Sequence, residues 1–123
     1  MYQVKLFNKI AKVGTDLLAP EKYTCSEDAA EYDAILVRSA KLHDTEFPKS
    51  LKCIARAGAG VNNIPLDRCT ENGIVVFNTP GANANGVKEL VIAGLFLASR
   101  DILGGAEWVR AHRGDEDVAK QAE

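Results

Sequence analysis

Three segments of the chain combine residue types suited to recognising a small anion. The first is Arg56-Ala57-Gly58-Ala59-Gly60-Val61-Asn62-Asn63-Ile64-Pro65. A strand-like run ends at Arg56, and the small residues beyond it let backbone N–H groups approach a negatively charged ligand closely. As a dinucleotide fingerprint the segment fails. Asn63 stands where a third glycine would be needed, and Pro65 opens a separate helix. No acidic residue closes the next strand, because Phe77 is followed by Asn78-Thr79-Pro80. The same residues also suit a tight strand-to-helix connection that needs glycine only for its backbone angles.

The second segment, Val37-Arg38-Ser39-Ala40, again places a basic residue at the end of a strand-like run. In open parallel sheets the ligand crevice lies outside the carboxyl ends of the strands. Arg38 and Arg56 are thus expected to project from equivalent ends of two strands. Guanidinium groups there would bind carboxylate or phosphate through paired hydrogen bonds, or else sit as ordinary surface residues. The third segment, Asn78 to Glu89, joins a strand to an apolar helix through small and amide-bearing residues. Asn83 or Asn85 can cap that helix, and free N–H groups at its start would attract an anion. His43 and His112 have no nucleophile or carboxylate pattern beside them, so neither is assigned a catalytic role.

The elements that must position these segments read as follows. Gln3–Phe7, Ala34–Arg38, Lys52–Arg56 and Ile74–Phe77 are strand-like, and their continuous apolar character predicts parallel strands covered on both faces. Ala11–Leu18 reads as a helix ending at Pro20, and Ser26-Glu27-Asp28-Ala29 as a helix start. Pro65 to Gly73 places proline in the first turn and glycine after the end, the expected helix asymmetry. Strands alternating with helices predict an α/β fold with a parallel sheet. From Asn85 the chain is apolar on nearly every side through Arg100, which predicts a helix buried all round in a core or against a partner. Gly104-Gly105 would break it from a second helix, and residues 114–123 would form a solvated helix or linker.

Composition excludes several functions. With 123 residues, 46% of them hydrophobic and 26% charged, the chain suits one globular core. Fifteen basic against seventeen acidic residues give a net charge of -2, so neither a nucleic acid nor a membrane surface is expected as partner. Cys25, Cys53 and Cys69 lack the spacing of a disulfide framework or metal site, and Cys53 is expected to be a buried, inert thiol. Val91–Leu97 is too short to span a membrane. A soluble, cytoplasmic setting is the expectation.

RAGAGVNNIPLD followed by NTPGANANGVKEL and an apolar helix, with VRSA upstream, resembles the NAD-dependent dehydrogenases acting on D-2-hydroxy acids. The likeness extends over about residues 1–112, and the VRSA and RAGAGVNNI versions are those of phosphoglycerate-oxidising members. It implies a flavodoxin-like open parallel sheet with flanking helices, ending in a long apolar connector helix. Residues 1–100 would be the N-terminal part of a substrate-binding domain. Residues 101–123 would lead toward a nucleotide domain outside the chain.

Carried over by motif, Arg38, Ser39 and Arg56 match positions around the substrate's phosphate and carboxylate. Ala57, Gly58 and Ala59 match the turn whose amides face the carboxylate, and Thr79 and Val87 match positions touching the NAD nicotinamide. Lys88 departs from the family, which commonly has a small residue there. The family's catalytic arginine, glutamate and histidine and its cofactor fingerprint would lie beyond residue 123. The chain alone is therefore expected to be inactive, with no catalytic residue and no metal, NAD being bound mainly elsewhere. The implied function is the substrate-binding portion of an enzyme oxidising D-3-phosphoglycerate to 3-phosphohydroxypyruvate, the first step of serine biosynthesis. Its partners would be a small anionic, phosphorylated 2-hydroxy acid and a second copy in a homodimer. The alternative is a free-standing flavodoxin-like module that binds a small anion or a protein without catalysis.

Overall fold

The computed structural model describes residues 1–122 and places five parallel strands in one sheet. They are β1 (Tyr2–Phe7), β2 (Tyr23–Ser26), β3 (Ala34–Val37), β4 (Cys53–Arg56) and β5 (Val75–Phe77), in the order β2-β1-β3-β4-β5. That is the flavodoxin-like order, whose topological switch point lies between β1 and β3. The α/β expectation is met. Among the described residues five helices accompany the strands: α1 (Lys12–Thr15), α2 (Leu66–Glu71), α3 (Ala84–Arg100), α4 (Ile102–Ala111) and α5 (Val118–Gln121). The chain divides into two compact units, one covering Met1–Ala82 and the other starting at Asn83.

Register explains the core of the first unit. Lys5 pairs with Ile35 and Ile35 with Ile54, while Phe7 pairs with Val37 and Val37 with Arg56. Side chains alternate between faces along a strand, so these residues share one face. There Ile35, Val37 and Ile54 are fully buried, together with Leu42, Leu51 and Ile64 from loops and Cys69 from α2. On the opposite face Val4 is buried, the row Leu6, Leu36 and Ala55 is half-buried, and Phe77 at its end is exposed. Burial of both faces was expected from the apolar runs; one face is covered well because α2 and the loops pack there.

The α2 terminus follows its sequence closely. Gly73, at φ +67°, donates its N–H to Thr70 O (3.1 Å), and Ile74 N–H donates to Cys69 O (2.8 Å). This pair of bonds is a Schellman cap, and glycine enters its left-handed position without steric cost. Ile74 and Cys69, both buried, supply the apolar contact that accompanies it.

Other expectations need correction. Ser26–Ala29 does not start a helix. Tyr23–Ser26 forms edge strand β2 on β1, and Ser26 Oγ accepts the Asp28 N–H at 3.1 Å in a local turn. Aromatic and β-branched residues pairing across the edge outweigh a serine that bonds a turn equally well. The Ala11–Leu18 helix shrinks to the single turn α1. Cys53 is half-buried, and Cys69 is the buried thiol.

In the second unit the break between helices falls at Asp101 instead of Gly104-Gly105. Asp101 takes φ 45°, ψ 45° and its side chain accepts the Gly104 N–H, so both glycines lie inside α4. An acidic N-cap with its own hydrogen bond defines a helix start better than glycine flexibility does. The residues of α3, expected to be buried all round, are exposed along its whole length. Asn83 occupies the N-cap position of α3 without a side-chain capping bond. Asn85 instead donates to Glu89 and accepts from Lys88, which places the Lys88 charge on the exposed surface. Among the described residues no helix is long and apolar enough to cross a membrane, and no His, Cys, Asp and Glu cluster could hold a metal ion.

Candidate functional site

The carboxyl ends of β1, β3 and β4 are tied to one another by a small set of hydrogen bonds. Asn8 follows β1 in the left-handed conformation (φ 68°), which asparagine tolerates better than most residues. Its Oδ1 accepts the N–H groups of Ser39 (2.8 Å) and Ala40 (2.7 Å) and so clamps the segment after β3 at the switch point. Asn63 clamps the same segment from the other side. It donates Nδ2 to Ala40 O at 2.9 Å, and its own carbonyl accepts the Leu42 N–H at 2.9 Å. Arg68 Nη2 donates to Leu42 O (2.9 Å) and Thr45 O (2.8 Å), with its guanidinium 4.4 Å above the Phe47 ring. Residues 39–45 are therefore an irregular segment held by three fixed side chains.

Arg56 does not simply project outward from its strand. Its Nε donates to Arg38 O at 3.0 Å and its Nη1 to Gly60 O, so the guanidinium lies across its own turn. A Cβ at position 58 would come within 2.9 Å of Arg56 Nη1, so glycine at 58 makes room for the folded arginine. Several amides of the turn are already engaged. Ala57 N–H donates to Val37 O and Gly58 N–H to Arg56 O, while the Ala59 N–H has no partner among the described residues. The next strand's exit joins the same turn: Thr79 N–H donates to Gly58 O (3.0 Å), Thr79 Oγ1 to Arg56 O (3.4 Å) and Asn78 Nδ2 to Ala59 O (2.7 Å).

A cleft of about 570 Å³ opens beside this turn, lined by Ser39, Lys41, His43, Arg56, Asn62 and Asn63. It thus brings together two of the residues singled out from sequence, Ser39 and Arg56. Arg38 is exposed next to them but does not line the cleft, and Ala57, Gly58 and Ala59 form the neighbouring turn. Val87 is an exposed residue of α3 in the second unit. Sequence reasoning read Asn63 only as part of the segment after Arg56, and gave no site role to Lys41, His43 and Asn8. Of these, only Asn8 carried a usable signal, an amide residue directly after a strand. Asn63 is buried, with Oδ1 unpartnered. Among the described residues no carboxylate lines the cleft, so its field is that of Lys41 and Arg56. The thiols lie outside it, and burial pushes those of Cys25, Cys53 and Cys69 up from their ordinary value.

The family model for the catalytic domain of D-isomer specific 2-hydroxyacid dehydrogenases matches residues 2–119. D-3-phosphoglycerate dehydrogenase of Mycobacterium leprae is 39% identical over 97 residues, which cover 76% of this chain and 18% of that protein. Hydroxypyruvate reductase of Thermotoga maritima is 49% identical over 71 residues, covering 55% of this chain and 23% of the relative. The NAD+-bound 3-phosphoglycerate dehydrogenase of Entamoeba histolytica superposes with a TM-score of 0.63 at 29% identity, over 78% of this chain and 38% of that one. The chain spans about a fifth of the length of these two curated relatives. With the parallel order β2-β1-β3-β4-β5 and a family match over residues 2–119, the protein belongs to the D-isomer specific 2-hydroxyacid dehydrogenase family.

Proposed function

We propose that this chain is the substrate-recognising portion of an NAD-dependent enzyme oxidising D-3-phosphoglycerate to 3-phosphohydroxypyruvate, at the first step of serine biosynthesis. The observation that carries the reading is the cationic cleft beside Arg56, at the carboxyl ends of β3 and β4. Arg56, held by two backbone carbonyls, presents its remaining donor edge, and the unpartnered Ala59 N–H lies in the adjoining turn. Together they suit a carboxylate. Arg38, Ser39, Ala57 and Gly58 complete the proposed substrate-binding set. Residues 1–100 serve as the substrate-binding part and 101–123 as the connector.

The described residues do not fit a whole dinucleotide. The turn of Gly58 and Gly60 leads to Pro65 and the six-residue α2, so no glycine-rich strand–helix junction cradles a pyrophosphate. In the proposal NAD is bound mainly outside these residues, and nicotinamide contacts at Thr79 and Val87 belong to the same reading. No residue here is assigned a catalytic role. The chain binds and orients, and is inactive alone. A cytoplasmic location and a homodimer are part of the reading, supported by three free thiols and by the exposed apolar residues of α3.

Calorimetric titration of D-3-phosphoglycerate into the chain tests it. Binding that is lost in both Arg38→Ala and Arg56→Ala is the expected result. Turnover of the full protein with NAD on an unphosphorylated 2-hydroxy acid, and none on phosphoglycerate, would overturn the substrate.

A further inference from the structure

We infer that the pocket between the β3–β4 crossover and α2 is a second small-molecule site, and that it takes a compact carboxylate with an apolar body. The inference stands apart from the cleft beside Arg56 and does not rest on the substrate proposed for it.

The pocket follows from how the sheet is connected. Parallel strands need a crossover, and in an α/β fold that crossover is usually a helix laid over the sheet. Residues 38–52, which join β3 to β4, contain no helix. The irregular crossover leaves a pocket of about 320 Å³ against α2, at the lower end of the range for ligand sites. Leu51 and Ile74, both buried, line it just before β4 and β5 begin. Arg56 stands at the other end of β4, a strand of four residues and so about 13 Å long. No residue is shared by the linings of the pocket and the cleft.

The chemistry of the lining is of two kinds. Phe47, Pro48, Leu51 and Ile74 give apolar walls, Arg68 and Lys49 bring positive charge, and among the described residues no carboxylate lines the pocket. Arg68 is only partly used by the fold. Its Nη2 braces the turn from Leu42 to Thr45 through both of those carbonyls, with the guanidinium 4.4 Å from the Phe47 ring centroid. Nε is buried without a partner, and Nη1 makes no hydrogen bond or ion pair among the described residues. Lys49 is exposed and likewise unpaired among them. A carboxylate at Nη1 would compensate a charge that the fold has partly desolvated. A bare inorganic anion would leave the apolar walls wet, and a neutral apolar molecule would leave the guanidinium unpaired. A carboxylate on a small ring or branched chain meets both demands. Because Arg68 is already held by two carbonyls, little ordering entropy is lost when the anion arrives.

The test is an NMR-detected titration of the whole chain with benzoate and, separately, with benzyl alcohol, a neutral molecule of similar shape. Benzoate should shift the amides of Lys49, Leu51 and Ile74 along a saturable curve, and benzyl alcohol should bind about tenfold more weakly or worse. Arg68→Met should weaken benzoate about tenfold and leave benzyl alcohol nearly unchanged. Lys49→Gln, at an exposed position where the fold is not at stake, should weaken benzoate about threefold. Arg56→Gln should leave both affinities as they are. Unperturbed resonances of Ile35 and Ile54 verify that each variant is folded, and if Arg68→Met disturbs them Lys49→Gln decides. The absence of saturable shifts up to about 20 mM benzoate overturns the inference. Equal affinities for the acid and the alcohol also overturn it, because they show an apolar crevice without anion recognition. So does benzoate binding that Lys49→Gln leaves unchanged or that Arg56→Gln abolishes, the latter placing the benzoate in the cleft.

Discussion

The two faces of the sheet are built from the same short strands and have opposite fates. On one face Ile35, Val37 and Ile54 are wholly buried beneath α2 and the loops that carry Leu42, Leu51 and Ile64. On the other, Leu36 and Ala55 are half-buried and Phe77 is 56% exposed, although the sequence is as apolar there. Apolar character makes burial favourable, but the layer laid over a face decides how much water is removed. The helix α3 repeats the lesson, with Leu90 at 75% exposure in a run that reads as core.

The largest effect that would break this comparison is at Ile54. Ile54→Ala should cost about 2–5 kcal/mol, because both the transfer energy and a cavity are at stake on the covered face. Phe77→Ala on the open face should cost less than about 1 kcal/mol despite removing more atoms. Urea midpoints measured for the two variants check the pair, and equal losses would mean that the second face is covered in solution.

Smaller effects sharpen the contrast between core and site. Asn8→Ala removes the acceptor for two amides of the segment after β3, and should destabilise by about 1–2 kcal/mol. Amide exchange at Ser39 and Ala40 should accelerate at the same time, and no change there would show the clamp to be dispensable. Gly73→Ala forces a Cβ into φ +67° at the α2 cap, and should lower stability by roughly 1 kcal/mol in thermal unfolding.

The smallest effect is with pH. Burial raises the Cys69 thiol above its ordinary 9.0, so the folded state favours the protonated form. That contribution is complete below about pH 9 and is lost as pH rises through the folded value. The denaturation midpoint should therefore decline above pH 9, and the decline should be shallower in Cys69→Ala.

Much of the frame was legible in the residues. Four of the five strands, the α2 helix with its glycine cap, and the basic residue ending β4 all follow from local pattern. Edge strand β2 was not legible, because Ser26-Glu27-Asp28-Ala29 carries a helix-start signal that cross-strand pairing with β1 overrides. The site was half legible. Ser39 and Arg56 stand in recognisable segments, whereas Lys41 and His43 belong to a stretch without motif or period. They enter the cleft because Asn63 and Arg68, distant in sequence, hold that stretch.

The sequence by itself determined the parallel α/β class, the glycine-containing turn after β4 and the membership in a hydroxy-acid dehydrogenase family. These rest on local signals: apolar runs, glycines after strands, and motifs in a set order. Only the tertiary structure decided which face of the sheet is covered, that Arg56 folds back over its own turn, and that Lys41 and His43 stand at the cleft. Those outcomes depend on hydrogen bonds and packing between residues far apart in the chain, which no local pattern encodes.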